Sequence, residues 1–273
     1  MPVLLDPPTA PPRAAAKDAS RADPEAPPVS DGRAAATPQA DPADVRLGWS
    51  GVPVPLVLPR RVTEIDPFLA WCASDDFPDG LSASLIDGNL YLAPAVDDPY
   101  PHNLLKSAVL VALTLYGRET DLGEAFGDGL KYAHTPDGLG HEPDASFNLY
   151  ESYRTGRVTI APPAAGGTKE VMTGRPDLLV ECLSDGSVEK DLNRLRRAYL
   201  AGGVREYWIL DGRDGRADFT LLSRADDATD WSEAIADADG LRLSDVLDRR
   251  VRLERGTNPM GRPKWNVRLE PAA

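Results

Sequence analysis

The stretch Arg175-Pro-Asp-Leu-Leu-Val-Glu-Cys-Leu-Ser184 decides the reading of this chain. Leu178 to Leu183 is a short apolar run bounded by Pro176 and Ser184, the pattern of a strand buried on both faces. Glu181 lies inside that run. A carboxylate in such a setting is costly unless it is paired or holds a metal ion. Lys190-Asp191 follows, and then a helical stretch that leads into Glu206-Tyr-Trp-Ile209. Upstream, Glu142-Pro-Asp-Ala-Ser-Phe147 sets a second carboxylate, Asp144, at the head of another short strand.

Outward from this strand, helical and extended patterns alternate. Val188 to Leu200 predicts an amphipathic helix with Val188, Leu192, Leu195 and Tyr199 on one face. Leu192, Leu195 and Tyr199 should pack on the sheet and leave Arg196 and Arg197 more exposed. Ser187 can cap its start, and Gly202-Gly203 stop it. Glu206 to Asp211 reads as a strand, with Phe219 to Ser223 as its return. On the N-terminal side, Val62 to Ala73 predicts a short helix with Asp66 as N-cap and Pro67 at the first helical position. Ser82 to Ala93 predicts a hairpin that turns at Asp87-Gly88. Pro101 to Tyr116 predicts a broadly buried helix, with Gly117 just past its end. Short strands follow around Ala125-Phe126, Leu130-Tyr132 and Ala145-Phe147, and Gly156 to Thr173 reads as a loop. The result is a mixed α/β chain, a mixed sheet with helices packed on it.

Composition narrows the setting. Residues 1–45 contain no aromatic residue and are rich in Pro and Ala, so they cannot bury enough apolar surface to offset chain entropy. They are expected to form a disordered tail, and residues 46–273 one ordered domain. No apolar run reaches spanning length, and no targeting segment is evident. A cytoplasmic protein without membrane attachment is therefore expected. Cys72 and Cys182 are too few and too far apart for a disulfide framework or a zinc pattern. The net charge of −13 counts against a high-affinity, non-specific DNA binder. It leaves room for a cleft with local cations, for which Lys190, Arg194, Arg196, Arg197 and Arg205 are the candidates.

Two strand carboxylates followed by a lysine are the parts of a metal-dependent phosphodiesterase site. A divalent cation polarises the phosphate and acidifies a bound water. Hard ions take oxygen ligands, and one or two carboxylates with waters suffice. In the Asp…Glu-x-Lys arrangement the lysine stands two residues after the glutamate, on the same strand face. Here that position is Leu183, and Lys190 is the nearest substitute. Asp144, Glu181 and Lys190 are thus the candidate catalytic residues, with Asp144 and Glu181 as ligands of Mg2+ or Mn2+. Asp177 follows Pro176 and reads as a turn residue. His102 reads as structural or as a neighbour of the site, and His134 and His141 carry little signal. Asp237, Asp239 and Asp245 lack the spacing of a calcium loop.

The chain resembles the Uma-type restriction endonucleases of the PD-(D/E)XK nuclease superfamily. The resemblance rests on Asp75-Asp-Phe-Pro78, Leu85-Ile-Asp-Gly88, His102-Asn103 with Lys106, Gly127-Asp128 and Glu142-Pro-Asp144. It continues through Pro176-Asp-Leu-Leu-Val-Glu181, Ser184-Asp185, Ser187-Val188 with Lys190-Asp191, Tyr199, Gly203-Val204, Glu206-Tyr-Trp208 and Asp211. Asn258-Pro-Met-Gly261 is similar to the family's C-terminal end, so the likeness runs from about Glu64 to Leu269. It implies a restriction-endonuclease-like fold and metal-dependent cleavage of DNA. By position it makes Asp144 and Glu181 the metal ligands and Lys190 a migrated lysine. The chain departs from the family at Ser84, where many members carry glutamate, and at Leu195, where many carry lysine. A second reading, a catalytically impaired module that binds or scaffolds, rests on Ser84, Leu183, Leu195 and the acidic charge. DNA is the expected substrate, and a homodimer is one assembly compatible with this reading.

Overall fold

A computed structural model describes residues 46–47, 56–95, 98–164 and 166–272; the expected tail, 1–45, lies outside these residues. In chain order the elements are β1 (Arg46–Leu47), β2 (Leu56–Val57), α1 (Ile65–Cys72), β3 (Leu81–Ile86) and β4 (Asn89–Pro94). A π-helical turn over Pro99–Asn103 then leads into α2 (Leu104–Thr120), β5 (Gly123–Phe126), β6 (Lys131–His134), β7 (Leu139–His141), β8 (Ala145–Leu149) and α3 (Tyr150–Arg154). β9 (Val158–Ala161), β10 (Val171–Gly174) and β11 (Leu178–Cys182) precede a second π-helical stretch, Lys190–Leu195, which continues as α4 (Arg196–Ala201). The chain closes with β12 (Glu206–Asp211), β13 (Asp218–Ser223), β14 (Ser232–Glu233), β15 (Arg242–Ser244), β16 (Arg249–Thr257) and β17 (Pro263–Pro271).

The strand with Glu181 is central. β11 lies between β12, to which it is parallel, and β8, to which it is antiparallel, in the six-stranded order β14-β13-β12-β11-β8-β5. A second six-stranded sheet has the order β4-β3-β7-β6-β10-β9, and β15, β16 and β17 form a third. Strand alternation divides β11 between two cores. Leu178, Val180 and Cys182 join Leu105, Val109 and Leu113 of α2. Leu179 and Leu183 join Leu195 and Tyr199 of the α4 segment. Glu181 shares the parity of Leu179, so its carboxylate points toward the α4 side. Glu206 locks the third sheet onto this centre: its buried carboxylate accepts from Trp208 Nε1, Ser244 Oγ and the Val246 N–H.

The mixed α/β expectation holds, and several elements fall where their residues predict. The Asp87-Gly88 turn has both residues at positive φ, 51° and 71°, as a two-residue hairpin of this type needs. Other details differ. Gly156 to Thr173 is only partly loop. Its β-branched Val158-Thr-Ile160 forms β9, which pairs with β10, while Pro162-Pro163 takes the turn. The first helix starts one residue after Glu64, so Pro67 lies inside its first turn. Gly117 does not end α2. It is a contact point, because a Cβ there would stand 2.6 Å from the Gly123 carbonyl oxygen. The helix runs on to Asp121, which is left-handed at φ 53°.

The α4 segment carries the main correction. Leu195 and Tyr199 are fully buried, but Leu192 is exposed and Asp191 takes its place inside. The cause is the π-helical stretch Lys190–Leu195. A π turn holds more residues than an α turn, so the inward face shifts by one position. Tyr207 fixes the shifted turn by donating its hydroxyl to the Asp191 carbonyl at 2.9 Å.

Candidate active site

The antiparallel pairing of β8 with β11 brings Asp144, just ahead of β8, beside the end of β11. Asp144 Oδ2 accepts the Cys182 N–H at 2.7 Å, one residue beyond Glu181. The two sequence-predicted carboxylates therefore stand side by side, Glu181 on β11 and Asp144 just ahead of β8. Both are pushed up to about 7. For Asp144 the causes are burial and then the charge of Glu181, with Lys106 pulling the other way. For Glu181 burial dominates, and Lys190 and the Tyr199 hydroxyl oppose it. Burial raises both groups, and the Glu181 charge raises Asp144 further, so the nearby cations do not fully compensate the pair.

Each carboxylate has its own support. Tyr199 Oη donates to Glu181 Oε1 at 2.7 Å, and His141 Nε2 lies 3.0 Å from the same oxygen. His141 Nδ1 is 2.6 Å from Ser84 Oγ. Burial, and then the neighbouring Lys190 charge, holds the imidazole well below its ordinary pKa, so it is neutral. A neutral ring has one N–H. Donation from Nε2 to Glu181 leaves Nδ1 to accept from the Ser84 hydroxyl, an assignment made from the hydrogen-bond partners. On the other side, Lys106 Nζ lies 3.2 Å from Asp144 Oδ1 and 2.8 Å from Asp128 Oδ1. His102 Nε2 is 3.6 Å from Asp144 Oδ2.

Lys190 belongs to the same cluster. Its Nζ is 2.8 Å from Asp191 Oδ1 and 3.5 Å from His141 Nε2. Burial works to lower its pKa, but Glu181 and Asp191 outweigh it and raise the group above its usual value. The ammonium is thus firmly charged at neutral pH. The structure brings Asp144, Glu181 and Lys190 into one cluster. Asp177 stands apart as a fully buried structural group: it accepts the Leu149 N–H at 2.9 Å and Arg205 Nη1 at 3.1 Å. Arg196 and Arg197 do not enter the cluster's hydrogen bonds or ion pairs among the described residues. Leu183 and Leu195 are core residues, so neither position offers a cation.

Four participants escaped the residue-level reading. Lys106 was legible in principle, because it follows His102 by four residues on one helical face. His141 had a weak signal, three residues before Asp144 at the end of a short strand. Tyr199 was placed in the core but not on Glu181. Asp191 turns inward only because of the π stretch, for which the sequence carries no pattern.

A family model described as "Uma2: Putative restriction endonuclease" matches residues 65–254, more than two thirds of the chain. The match ends before Asn258-Pro-Met-Gly261, so the β16–β17 turn stands outside it. No curated protein matches the chain. Among solved structures, a putative nuclease belonging to DUF820 from Anabaena variabilis is similar at 16% identity and a TM-score of 0.41, over 60% of this chain and 89% of that one. Among the described residues, no helix is long and apolar enough to cross a membrane. The matched region contains Asp144, Glu181 and Lys190, and its extent shows that the chain belongs to the Uma2 family.

Proposed function

We propose that this protein is a metal-dependent endonuclease that hydrolyses DNA phosphodiester bonds, with Asp144 and Glu181 as ligands of Mg2+ or Mn2+ and Lys190 as the lysine of the site. The observation that carries the reading is the carboxylate pair: Asp144, just ahead of β8, is held by the Cys182 N–H beside Glu181 near the end of β11. Such a pair fits a hard divalent cation, which takes oxygen ligands and tolerates a shell completed by water. Among the described residues, no group of three or more His, Cys, Asp and Glu is assembled for a metal. The protein would therefore contribute these two carboxylates and leave the remaining positions to water and phosphate. When bound, the ion supplies Lewis-acid polarisation of the phosphate and acidifies a water.

The chain's own residues do the positioning. The Cys182 N–H fixes Asp144, and Tyr199 and His141 fix one oxygen of Glu181, leaving Glu181 Oε2 free of the hydrogen bonds that hold Oε1. Glu181 selects the His141 tautomer, and the Ser84 hydroxyl holds it by donating to Nδ1. Lys190, charged and in contact with Asp191 and His141, would orient the attacking water or offset charge developing on the phosphate. Lys106 places a second positive charge on the Asp144 side. A nicking assay on supercoiled plasmid, with Mg2+ or Mn2+ and an EDTA control, tests the reading. Metal-dependent conversion to the open circular form is expected, and no conversion with either metal contradicts it.

The alternative, a catalytically impaired binding or scaffold module, is favoured by one observation. Leu183 occupies the position of the usual lysine and is buried. On that reading the plasmid stays intact while the protein still binds its partner.

A further inference from the structure

The β16–β17 hairpin carries a second feature, distinct from the carboxylate cluster. Its tip, Arg255-Gly-Thr-Asn-Pro-Met-Gly-Arg-Pro-Lys264, has three cations and no carboxylate, in a chain with net charge −13. Nearer the base of the hairpin Arg250 and Arg252 are neutralised in place, while Arg249 lies over the Tyr116 ring. Arg250 pairs with Asp237 and Glu270, and Arg252 with Glu254. Among the described residues, none of Arg255, Arg262 and Lys264 pairs with a carboxylate. All three are exposed.

The tip is built, not frayed. Asn258 Oδ1 accepts the N–H groups of Met260 and Arg262 at 2.9 and 3.0 Å, and the Asn258 N–H donates to the Arg262 carbonyl at 2.9 Å. The Arg262 guanidinium lies 5.1 Å from the ring centre of Tyr100, and that of Arg255 lies 5.9 Å from Trp265. Cation–π attraction to a ring steadies a guanidinium while its N–H groups stay available to oxygen acceptors. Trp265 Nε1 donates to the Tyr100 carbonyl at 2.9 Å. Tyr100 is two residues before His102, which approaches Asp144 at 3.6 Å. The tip is therefore tethered to the turn that borders the carboxylate cluster.

We infer that the hairpin tip is a phosphate-backbone contact for duplex DNA, with Arg255, Arg262 and Lys264 gripping the strand that enters the site; this rests on the nuclease reading above. An acidic protein needs such a contact. Its overall charge repels a polyanion, and a set of unneutralised cations on a hydrogen-bonded tip offsets that repulsion locally. Contacts of this kind position a duplex without reading its sequence.

The test compares the full chain with the triple variant Arg255→Gln, Arg262→Gln, Lys264→Gln and with the charge-preserving variant Arg255→Lys, Arg262→Lys. Binding of a fluorescently labelled duplex is measured by anisotropy across a salt series, in EDTA and in Ca2+, together with the melting temperature. The triple variant should weaken binding by about tenfold or more and lower the slope of log Kd against log salt by about 2–3. Its melting temperature should match wild type, and the lysine variant should retain most of the affinity. A triple variant that binds with wild-type Kd and slope overturns the inference and leaves the nuclease reading standing. Wild type that binds duplex through the tip but never nicks plasmid supports the inference and removes the nuclease reading. Wild type that binds no duplex under either condition overturns both.

Discussion

The ammonium of Lys106 lies 3.2 Å from the carboxylate of Asp144, with most of both side chains out of water. Removing the cation leaves a largely buried carboxylate beside Glu181 with less compensation. Lys106→Met should therefore destabilise the metal-free protein by about 2–3 kcal/mol at about pH 8, where Asp144 is ionised. Near pH 5 the loss should be smaller, because Asp144 is then neutral and only the Asp128 contact is lost. Chemical denaturation at the two pH values checks this. An equal loss at both would mean that Lys106 acts through packing alone.

The raised carboxyl groups also give the whole protein a pH dependence. Asp144 and Glu181 titrate near 7 in the folded state, against ordinary values of 3.8 and 4.5. The folded protein thus holds more protons than the unfolded chain between about pH 4 and 7. Stability from these groups is fully present below the ordinary carboxyl range and is lost as pH rises through 7. In EDTA, the melting temperature should fall between about pH 5 and 8. Asp144→Asn combined with Glu181→Gln should flatten that fall. A double variant with the wild-type slope would assign the dependence to other groups.

Much of this arrangement was legible in the sequence, for physical reasons. A glutamate inside Leu178–Leu183 has few explanations, so Glu181 and its strand followed from the apolar run. Asp87-Gly88 specified its turn because few other pairs tolerate two positive φ values. What was hidden depends on long-range geometry. His141 and Ser84 are 57 residues apart and meet only because β3 pairs with β7. The inward Asp191 depends on a π turn that periodicity cannot show, since the pattern at Leu192 and Leu195 fits an ordinary helix. Val158-Thr-Ile160 was masked by the prolines and glycines that follow it.

Leu195 tests the division between core and site. It is fully buried against the Leu179 face of the sheet. Leu195→Lys places an ammonium there without a prepared partner, and should cost about 3 kcal/mol or more. A drop in melting temperature with no gain in nicking is expected. A neutral or activating effect would show that position 195 faces the carboxylate cluster.

The central claim is that Asp144 and Glu181 together hold one divalent cation, and the shift of melting temperature with Mn2+ tests it most directly. At about pH 8 both groups are ionised, so repulsion in the metal-free protein is greatest and the stabilisation from an ion is largest. Wild type should show a saturable upward shift of a few degrees at millimolar Mn2+, and Glu181→Ala should show none. No shift in wild type, or an equal shift in the Glu181→Ala variant, would contradict the account.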